Sequence, residues 1–130
     1  MKKIIIFLVR RWCFGTNHYV DTITTGANNG TSWTDAWNGF RSIQWTAINA
    51  GDTVFISGGT DTAHYYDSLI LQDKGALNNP VVYTVGRESG HNGFVLLHDS
   101  ISARYFVDHL VISGKNGSGD GKRHLILYKV

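Results

Sequence analysis

The side chains best suited to chemistry in this chain of 130 residues are six histidines, which are scattered along its length. No two of them have a spacing such as H-x-x-x-H, which would bring two ring nitrogens to one metal ion. His98 is followed by Asp99, whose carboxylate could orient the imidazole for base catalysis, but the sequence places no nucleophile beside the pair. The sequence therefore favours turn positions for the histidines. They are His18, His64, His91, His98, His109 and His124.

A glycine-rich stretch near the end of the chain is similar to the first half of a calcium-binding loop. Asn116, Ser118, Asp120 and Gly121 would occupy the first, third, fifth and sixth positions of such a loop. The twelfth position holds Leu127 instead of the bidentate glutamate of an EF-hand, so the EF-hand pattern fails. A solvated loop is favoured, with a weak structural calcium site as the alternative.

Aromatic side chains offer a second kind of chemistry, which is stacking on sugar rings. Tyr65 and Tyr66 lie in a loop-like stretch, where stacking on a sugar and packing against the predicted helix are equally open. Trp33, Trp37 and Phe40 recur at steps of three and four, which would place them on one face of a helix. Three large rings on one stripe are more typical of core or cap packing than of a sugar-binding platform.

Composition and charge exclude several classes of protein. Apolar residues make up 42% of the chain and recur to its end, which argues against long disordered tails. No apolar run approaches the length of about 20 residues that a bilayer demands, so we expect no stable membrane insertion. Four of the 12 basic residues fall within the first 11 positions, which leaves 8 basic against 10 acidic residues in the body, a net charge of −2. We therefore expect no nucleic-acid partner.

The first 18 residues are interpreted as a degraded signal peptide. Met1-Lys2-Lys3 precedes the apolar run Ile4–Val9, an order typical of a secretory leader. The run is shorter than the roughly 7–15 residues expected, and Arg10-Arg11 interrupts it. An ordinary first strand at Lys3–Val9 is the alternative. We accordingly expect the protein to be secreted or to lie at the cell surface.

The elements that would position these side chains begin with a helix. Ser32 is a suitable N-cap with Asp35 three residues later, an approximate capping box. Gly51 stands where a left-handed residue would end the helix. Short β-rich runs bounded by turn residues then follow. These predicted strands are Thr53–Ser57, Ser68–Leu71, Val81–Val85, Phe94–Leu97, His109–Ser113 and Leu125–Tyr128.

Two all-β arrangements fit these strands. A sandwich of hairpins would need tight turns, whereas the connections 58–67, 72–80 and 86–93 are long and irregular. A solenoid accepts such connections, and two or three strands per coil would give a repeat of about 28–42 residues. The sequence therefore favours an all-β solenoid.

Several segments resemble the opening of secreted right-handed parallel β-helix proteins of the pectin-lyase-like superfamily. The resemblance covers about residues 19–130 and says little about substrate. Gln44-Trp45-Thr46 departs from it, since small residues are usual there. The similar segments are Tyr19-Val20, Gly26-Ala27-Asn28-Asn29-Gly30-Thr31-Ser32-Trp33, Ala47-Ile48-Asn49-Ala50, Gly51-Asp52-Thr53-Val54-Phe55-Ile56, Gly58-Gly59-Thr60, Gly75-Ala76-Leu77-Asn78-Asn79-Pro80-Val81-Val82-Tyr83 and Val107-Asp108-His109-Leu110-Val111-Ile112-Ser113-Gly114.

The resemblance implies a right-handed parallel β-helix fragment whose open end is covered by the amphipathic helix. It further implies that residues 19–130 are the N-terminal cap and first coils, truncated at Lys129-Val130, with self-association expected at the uncapped C-terminal end. Members that cleave acidic polysaccharides remove a proton beside a uronate carboxylate. Lys115, Lys122 and Arg123 could be imagined as base and carboxylate clamp, but their setting fits a solvated loop better.

The expected function is the N-terminal portion of a secreted carbohydrate-active protein, of polysaccharide lyase or glycoside hydrolase type. Polysaccharide is then the expected partner of the full-length protein, and turnover is not expected from this chain alone. A non-enzymatic, adhesin-like surface scaffold and a fragment without function are the alternatives. No catalytic, cofactor-binding or metal-ligating residue is assigned, and the sequence leaves any cofactor open.

Overall fold

Short parallel β-strands dominate the structure, a computed structural model that describes residues 15–72, 74–103, 109–113 and 125–127. Two 3₁₀ turns, Phe40–Ser42 and Trp45–Ala47, lie between the first and second strands. The strands are β1 (Asn17–Val20), β2 (Thr53–Ile56), β3 (Thr62–Tyr65), β4 (Leu69–Leu71), β5 (Val81–Val85), β6 (Phe94–Leu97), β7 (Ile101–Ala103), β8 (Leu110–Ser113) and β9 (Leu125–Leu127).

The strands form three small sheets with the orders β1-β2-β5-β8, β3-β6-β9 and β4-β7. Every described strand pair is parallel, which excludes the sandwich of hairpins. Each new strand pairs with one from an earlier passage of the chain through the same sheet. As a result, residues about 30 positions apart in the sequence lie side by side, and this spacing brings the candidate site together.

Alternation along the strands builds the core. In β2 the side chains alternate between half-buried and buried, as expected when one face of a strand is covered. Val20, Ile56 and Val85 occupy successive positions of one in-register column and are fully buried. Burying each such side chain contributes about 1.5–3 kcal/mol relative to exposure. The inward columns therefore specify the register of the first sheet, since a slip by one residue would expose them.

The outer edge of β1 is covered by residues 28–37. The N–H of Tyr19 donates to the carbonyl of Gly30 at 3.0 Å, and the N–H of Trp37 donates to the carbonyl of Tyr19 at 2.9 Å. Trp37 is fully buried and contacts the Cα side of Gly30, where a Cβ atom would lie 2.6 Å from the indole. Gly30 also has φ +76°, so this close approach and this conformation both require glycine.

The predicted fold class, an all-β solenoid with an N-terminal amphipathic capping helix, is wrong. No α-helix occurs among the residues that the structure describes, and the strands lie in three small parallel sheets. The segment predicted as a helix turns at Ser32, whose Oγ accepts the N–H of Asp35 at 3.1 Å. It then runs extended, since Trp37 makes a parallel bridge to Val20 and Gly39 has φ 160°.

The error has a physical reason. Thr34, Asn38 and Gly39 are poor helix formers, and the backbone of Trp37 is used for the edge of β1. The apolar residues of this segment are buried although the segment is not a helix. The buried residues are Ala36, Trp37, Phe40, Ile43 and Ile48. Gly51 does adopt a left-handed conformation, with φ +87°, but it ends a turn before β2.

All six predicted strands are present, within two residues at each end. Three of the described strands were not predicted: β1, β3 and β7. β3, with the sequence Thr-Ala-His-Tyr, lies inside the connection predicted for residues 58–67. In the described parts of the chain we find no helix with the length and apolarity needed to cross a membrane.

Candidate functional site

Three rings form an exposed cluster at the carboxyl ends of β3 and β6, which we call the ring platform: His64, Tyr66 and His98. The parallel pairing of β3 with β6 places Tyr65 opposite Leu97, so that the residues that follow, Tyr66 and His98, also lie side by side. The N–H of His98 donates to the carbonyl of Tyr65 at 2.9 Å and fixes this end of β6. The strand register thus brings together side chains that are far apart in the sequence.

The rings of the platform are ordered relative to one another. The Tyr66 and His98 centroids lie 4.3 Å apart with their planes inclined by 16°, which is an offset stack. His64 Nδ1 and His98 Nε2 lie 2.8 Å apart and share a hydrogen bond, in which one nitrogen donates and the other accepts. Tyr66 is 72% exposed, so most of its ring surface is available to a ligand.

A groove of about 430 Å³ adjoins the platform, and His64 lines both. This volume lies within the range of about 300–1,000 Å³ that is usual for small-molecule sites. Hydroxyl groups of Thr22, Thr60 and Thr62 and the carboxylate of Asp21 supply polar contacts, whereas Ile23 and Ala63 supply apolar ones. The groove can therefore offer hydrogen-bond partners beside an exposed ring face.

Asp21, which lines the groove, belongs to a trio that looks like a hydrolase triad. His91 Nδ1 lies 3.3 Å from Asp21 Oδ2 and 3.0 Å from Ser57 Oγ. A catalytic triad uses opposite ring nitrogens for its acid and its nucleophile, whereas both contacts here involve Nδ1. Ser57 is also fully buried, and its Oγ accepts the N–H of Gly59 at 3.1 Å. The trio is consequently a structural network.

His91 also contacts residues 28–37, which cover the edge of β1, through its ring. It stacks on Trp33 with centroids 3.9 Å apart and planes inclined by 5°. The indole N–H of Trp33 donates to Glu88 at 2.9 Å. These contacts hold the loop that contains Trp33 against residues 88–91.

A buried histidine, His18, is paired with Asp52. His18 Nε2 lies 2.7 Å from Asp52 Oδ2, and the His18 ring stacks on Trp37 at 5.5 Å. Backbone N–H groups of Thr16 and Asn49 each donate to the Asp52 carboxylate at 2.8 Å. Burial by itself would raise the pKa of Asp52, but hydrogen bonds from Asn49, His18 and Thr16 outweigh it and lower that pKa.

The histidines thus divide among three environments. His18 and His91 are held in buried or half-buried networks, and His64 and His98 meet on the surface. His109 has φ 55°, a turn conformation, and is exposed. Among the described residues, no three His, Cys, Asp or Glu side chains converge on a metal position. His124 lies outside the described residues.

The other predicted positions have separate outcomes. Tyr65 is fully buried and its hydroxyl donates to the carbonyl of Ser57 at 2.8 Å, whereas Tyr66 is exposed. Asp99 accepts hydrogen bonds from the Ser68 hydroxyl and the Ser100 N–H, which lower its pKa. Several positions lie outside the described residues: Lys115, Asn116, Ser118, Asp120, Gly121, Lys122, Arg123 and the Lys129-Val130 end.

The pairing of His64 with His98 could not be read from the sequence, because 34 residues separate them and β3 was interpreted as loop. Alternation in the stretch from Ala63 to Tyr66 is the signal that could have identified β3, since Ala63 and Tyr65 face inward relative to His64 and Tyr66. Combined with parallel pairing, that signal would have placed two exposed rings beside His98.

Comparison with known protein families, with curated proteins and with solved structures finds no significant match to this chain.

Proposed function

We propose that this chain binds carbohydrate at the ring platform and the adjoining groove. The observation that carries the proposal is the exposed ring of Tyr66, held in a fixed plane by its stack on His98. The apolar face of a pyranose ring covers an aromatic face of this size, and a ring that is already ordered loses little conformational entropy on binding.

The groove supports the same ligand class. Sugars present many hydroxyl groups, which need donors and acceptors at close spacing. Thr60, Thr62 and the buried Asp21 line the groove together with His64. A sugar unit stacked on Tyr66 would direct the next unit of a chain towards these hydroxyls. A polysaccharide therefore fits better than a single sugar.

The wider function is also part of the proposal. The similarity of residues 26–33 and 51–56 to the pectin-lyase-like superfamily supports a carbohydrate-active parent protein and export to the cell surface or medium, although it does not indicate which polysaccharide is bound. The proposal assigns ligand binding to this chain and assigns no bond cleavage to its described residues. Tyr66 holds the ligand; His98 and His64 position Tyr66.

Affinity electrophoresis of the whole chain in gels that contain pectin, alginate, chondroitin sulfate or xylan tests the proposal. We expect retardation by at least one polysaccharide and a roughly tenfold loss of affinity in Tyr66→Ala, equivalent to about 1.4 kcal/mol. Tyr66→Phe keeps the ring and should keep most of the affinity. Leu77→Ala is the matched control, since Leu77 is 76% exposed on a different loop.

Equal retardation of Tyr66→Ala and the unaltered chain, or no retardation in any gel, would contradict the proposal. Ultraviolet absorbance of unsaturated uronate products, measured on the same mixtures, separates binding from cleavage. Product formed by this chain alone would mean that a catalytic site had been overlooked.

A further inference from the structure

A second, smaller groove of about 240 Å³ lies between the two 3₁₀ turns and β4. Phe40 and Ile43 lie at its base and are buried, and Trp45 and Ile70 form apolar walls. Arg41, Ser68 and Gln72 are its polar lining residues. This groove is separate from the one beside His64, and no part of the proposed glycan site uses its walls.

Arg41 gives this groove its charge. Its backbone N–H donates to Asp67 at 2.9 Å, which anchors the first 3₁₀ turn. Its guanidinium has no carboxylate within ion-pair distance among the described residues. After the hydrogen bonds from Ser68 and Ser100, the positive charge of Arg41 is a further cause that lowers the pKa of Asp99. A guanidinium beside an apolar floor is a suitable partner for a carboxylate, which it can bind with two parallel hydrogen bonds.

The remaining polar groups limit the kind of ligand. The Ser68 hydroxyl already donates to Asp99 at 2.7 Å, so its proton is not available to a ligand. That leaves Arg41, Gln72 and the indole N–H of Trp45 as the lining groups able to donate. A polyhydroxylated ring would bury hydroxyls without partners here, and burying such groups is unfavourable. A flat apolar ring that carries one carboxylate would bury no polar group without a hydrogen-bond partner.

We propose that this groove binds a small aromatic carboxylate, with the ring between Trp45 and Ile70 and the carboxylate on Arg41. The volume is below the range of about 300–1,000 Å³ for drug-sized ligands, which fits a single ring. Because Arg41 is exposed, its attraction for the ligand is screened by salt. The site is independent of the ring platform and does not rest on the proposed carbohydrate function.

Titration of the whole ¹⁵N-labelled chain with benzoate, followed by NMR, tests the site. We expect binding with a dissociation constant on the order of 1 mM, as for other single-ring ligands, with the largest shifts at Arg41 and at the Trp45 indole N–H. Benzamide has the same shape without the charge and should bind at least tenfold more weakly. Arg41→Gln should weaken benzoate binding by a similar factor.

Two further variants protect the result from misfolding artefacts. Arg87→Gln removes a cation at a distance from the groove, where Arg87 lies over the Phe55 ring, and should leave benzoate binding unchanged. Ile70→Glu places a negative charge on the wall through a side chain that is 48% exposed, and should abolish binding without unfolding the chain. Circular dichroism and thermal melting of each variant confirm the fold.

Three outcomes would overturn the proposal: equal binding of benzamide and benzoate, unchanged binding in a folded Arg41→Gln variant, or binding of glucuronate in preference to benzoate. The last outcome would make the groove a sugar-acid site. Loss of polysaccharide retardation in Tyr66→Ala leaves this test unaffected, so the two proposals fail separately.

Discussion

Two regions of the molecule use histidine beside an aromatic ring and put the pair to different uses. At the first edge of the structure His18 stacks on Trp37, is buried, and is paired with a carboxylate that also accepts two backbone N–H groups. On the ring platform His98 stacks on Tyr66, which is 72% exposed. Burial and backbone hydrogen bonds make the first pair structural. Exposure leaves Tyr66 of the second pair with ring surface that is open to solvent.

The difference teaches that residue type alone does not identify a site in this fold. Whether a histidine is structural or exposed depends on whether its strand position faces the core or the solvent. His18 occupies an inward position in register with Val54, and its polarity is compensated by Asp52. His64 occupies an outward position on β3, beside the end of β6. Substitutions in the buried region should therefore reduce stability, whereas substitutions on the ring platform should reduce ligand binding.

The largest expected effect is the loss of stability in Trp37→Ala. Trp37 is fully buried, so the change removes its packing against His18 and Gly30 and leaves a cavity in the core. We expect a loss of about 3–5 kcal/mol in the free energy of unfolding, measured by urea denaturation. Leu77→Ala, at an exposed position, is the control. A loss below about 1 kcal/mol would show that the indole is not packed as described.

Asp52→Asn should have the next largest effect. The amide would turn a donor towards the N–H of Asn49 or Thr16, leaving a buried donor unpaired. We expect a loss of about 1–3 kcal/mol by the same denaturation measurement. Asp99→Asn, at an exposed carboxylate that also accepts hydrogen bonds, should leave the urea midpoint unchanged. Equal shifts in both variants would contradict the contrast between buried and exposed networks.

The same carboxylate predicts a pH dependence. The pKa of Asp52 in the folded chain lies below its usual value of 3.8, so the unfolded chain binds its proton first as pH falls. The stabilisation is therefore fully present above about pH 4 and is lost as the pH falls through the folded pKa. Urea midpoints measured from pH 6 down to pH 2 should fall less steeply in Asp52→Asn than in the unaltered chain. Parallel curves would refute this assignment.

Two buried tyrosines provide a smaller and more discriminating test. Tyr65 donates its hydroxyl to the carbonyl of Ser57, whereas the buried Tyr83 hydroxyl has no partner among the described residues. We expect Tyr65→Phe to cost about 1 kcal/mol, and Tyr83→Phe to be neutral or stabilising by up to about 1 kcal/mol. Thermal unfolding of the two variants side by side measures this. A destabilised Tyr83→Phe would reveal a partner for that hydroxyl.

The smallest expected effect on stability is that of Tyr66→Ala, below about 0.5 kcal/mol, because the side chain is mostly exposed. This variant should nevertheless have the largest effect on retardation by polysaccharide. Calorimetric melting of the samples used for electrophoresis gives both quantities. If stability and retardation fell together, Tyr66 would belong to the structural region and the comparison would fail.

The sequence predicted the strands better than the segment before them. Alternating apolar residues in β2 and β5 report directly on a covered sheet face, and each strand was found. The stretch from Trp33 to Ile48 has helical spacing only by coincidence. Trp37 and Phe40 are buried in it without a helix, since Trp37 pairs with the edge of β1 and Phe40 begins a 3₁₀ turn. The apolar pattern of residues 33–48 alone cannot reveal that the backbone of Trp37 forms hydrogen bonds with the edge of β1 instead of with a helix.

The candidate site was predictable only in part. The sequence left two interpretations open for Tyr65 and Tyr66, and the structure buries Tyr65 and leaves Tyr66 exposed. The His64–His98 contact depends on the register of β3 with β6, which is a tertiary property. The position of Arg41 in the second groove could not be predicted from the sequence, since it depends on how the fold packs the first 3₁₀ turn against β4.

The most direct test of the account follows the ring resonances of the platform during titration with the best-binding polysaccharide, used as short soluble oligosaccharides. NMR signals of the Tyr66 ring and of the His64 and His98 imidazoles should shift together and saturate, while those of His18 and Trp37 stay fixed. Unchanged platform signals at saturating ligand, or shifts confined to the buried His18 region, would contradict the central claim.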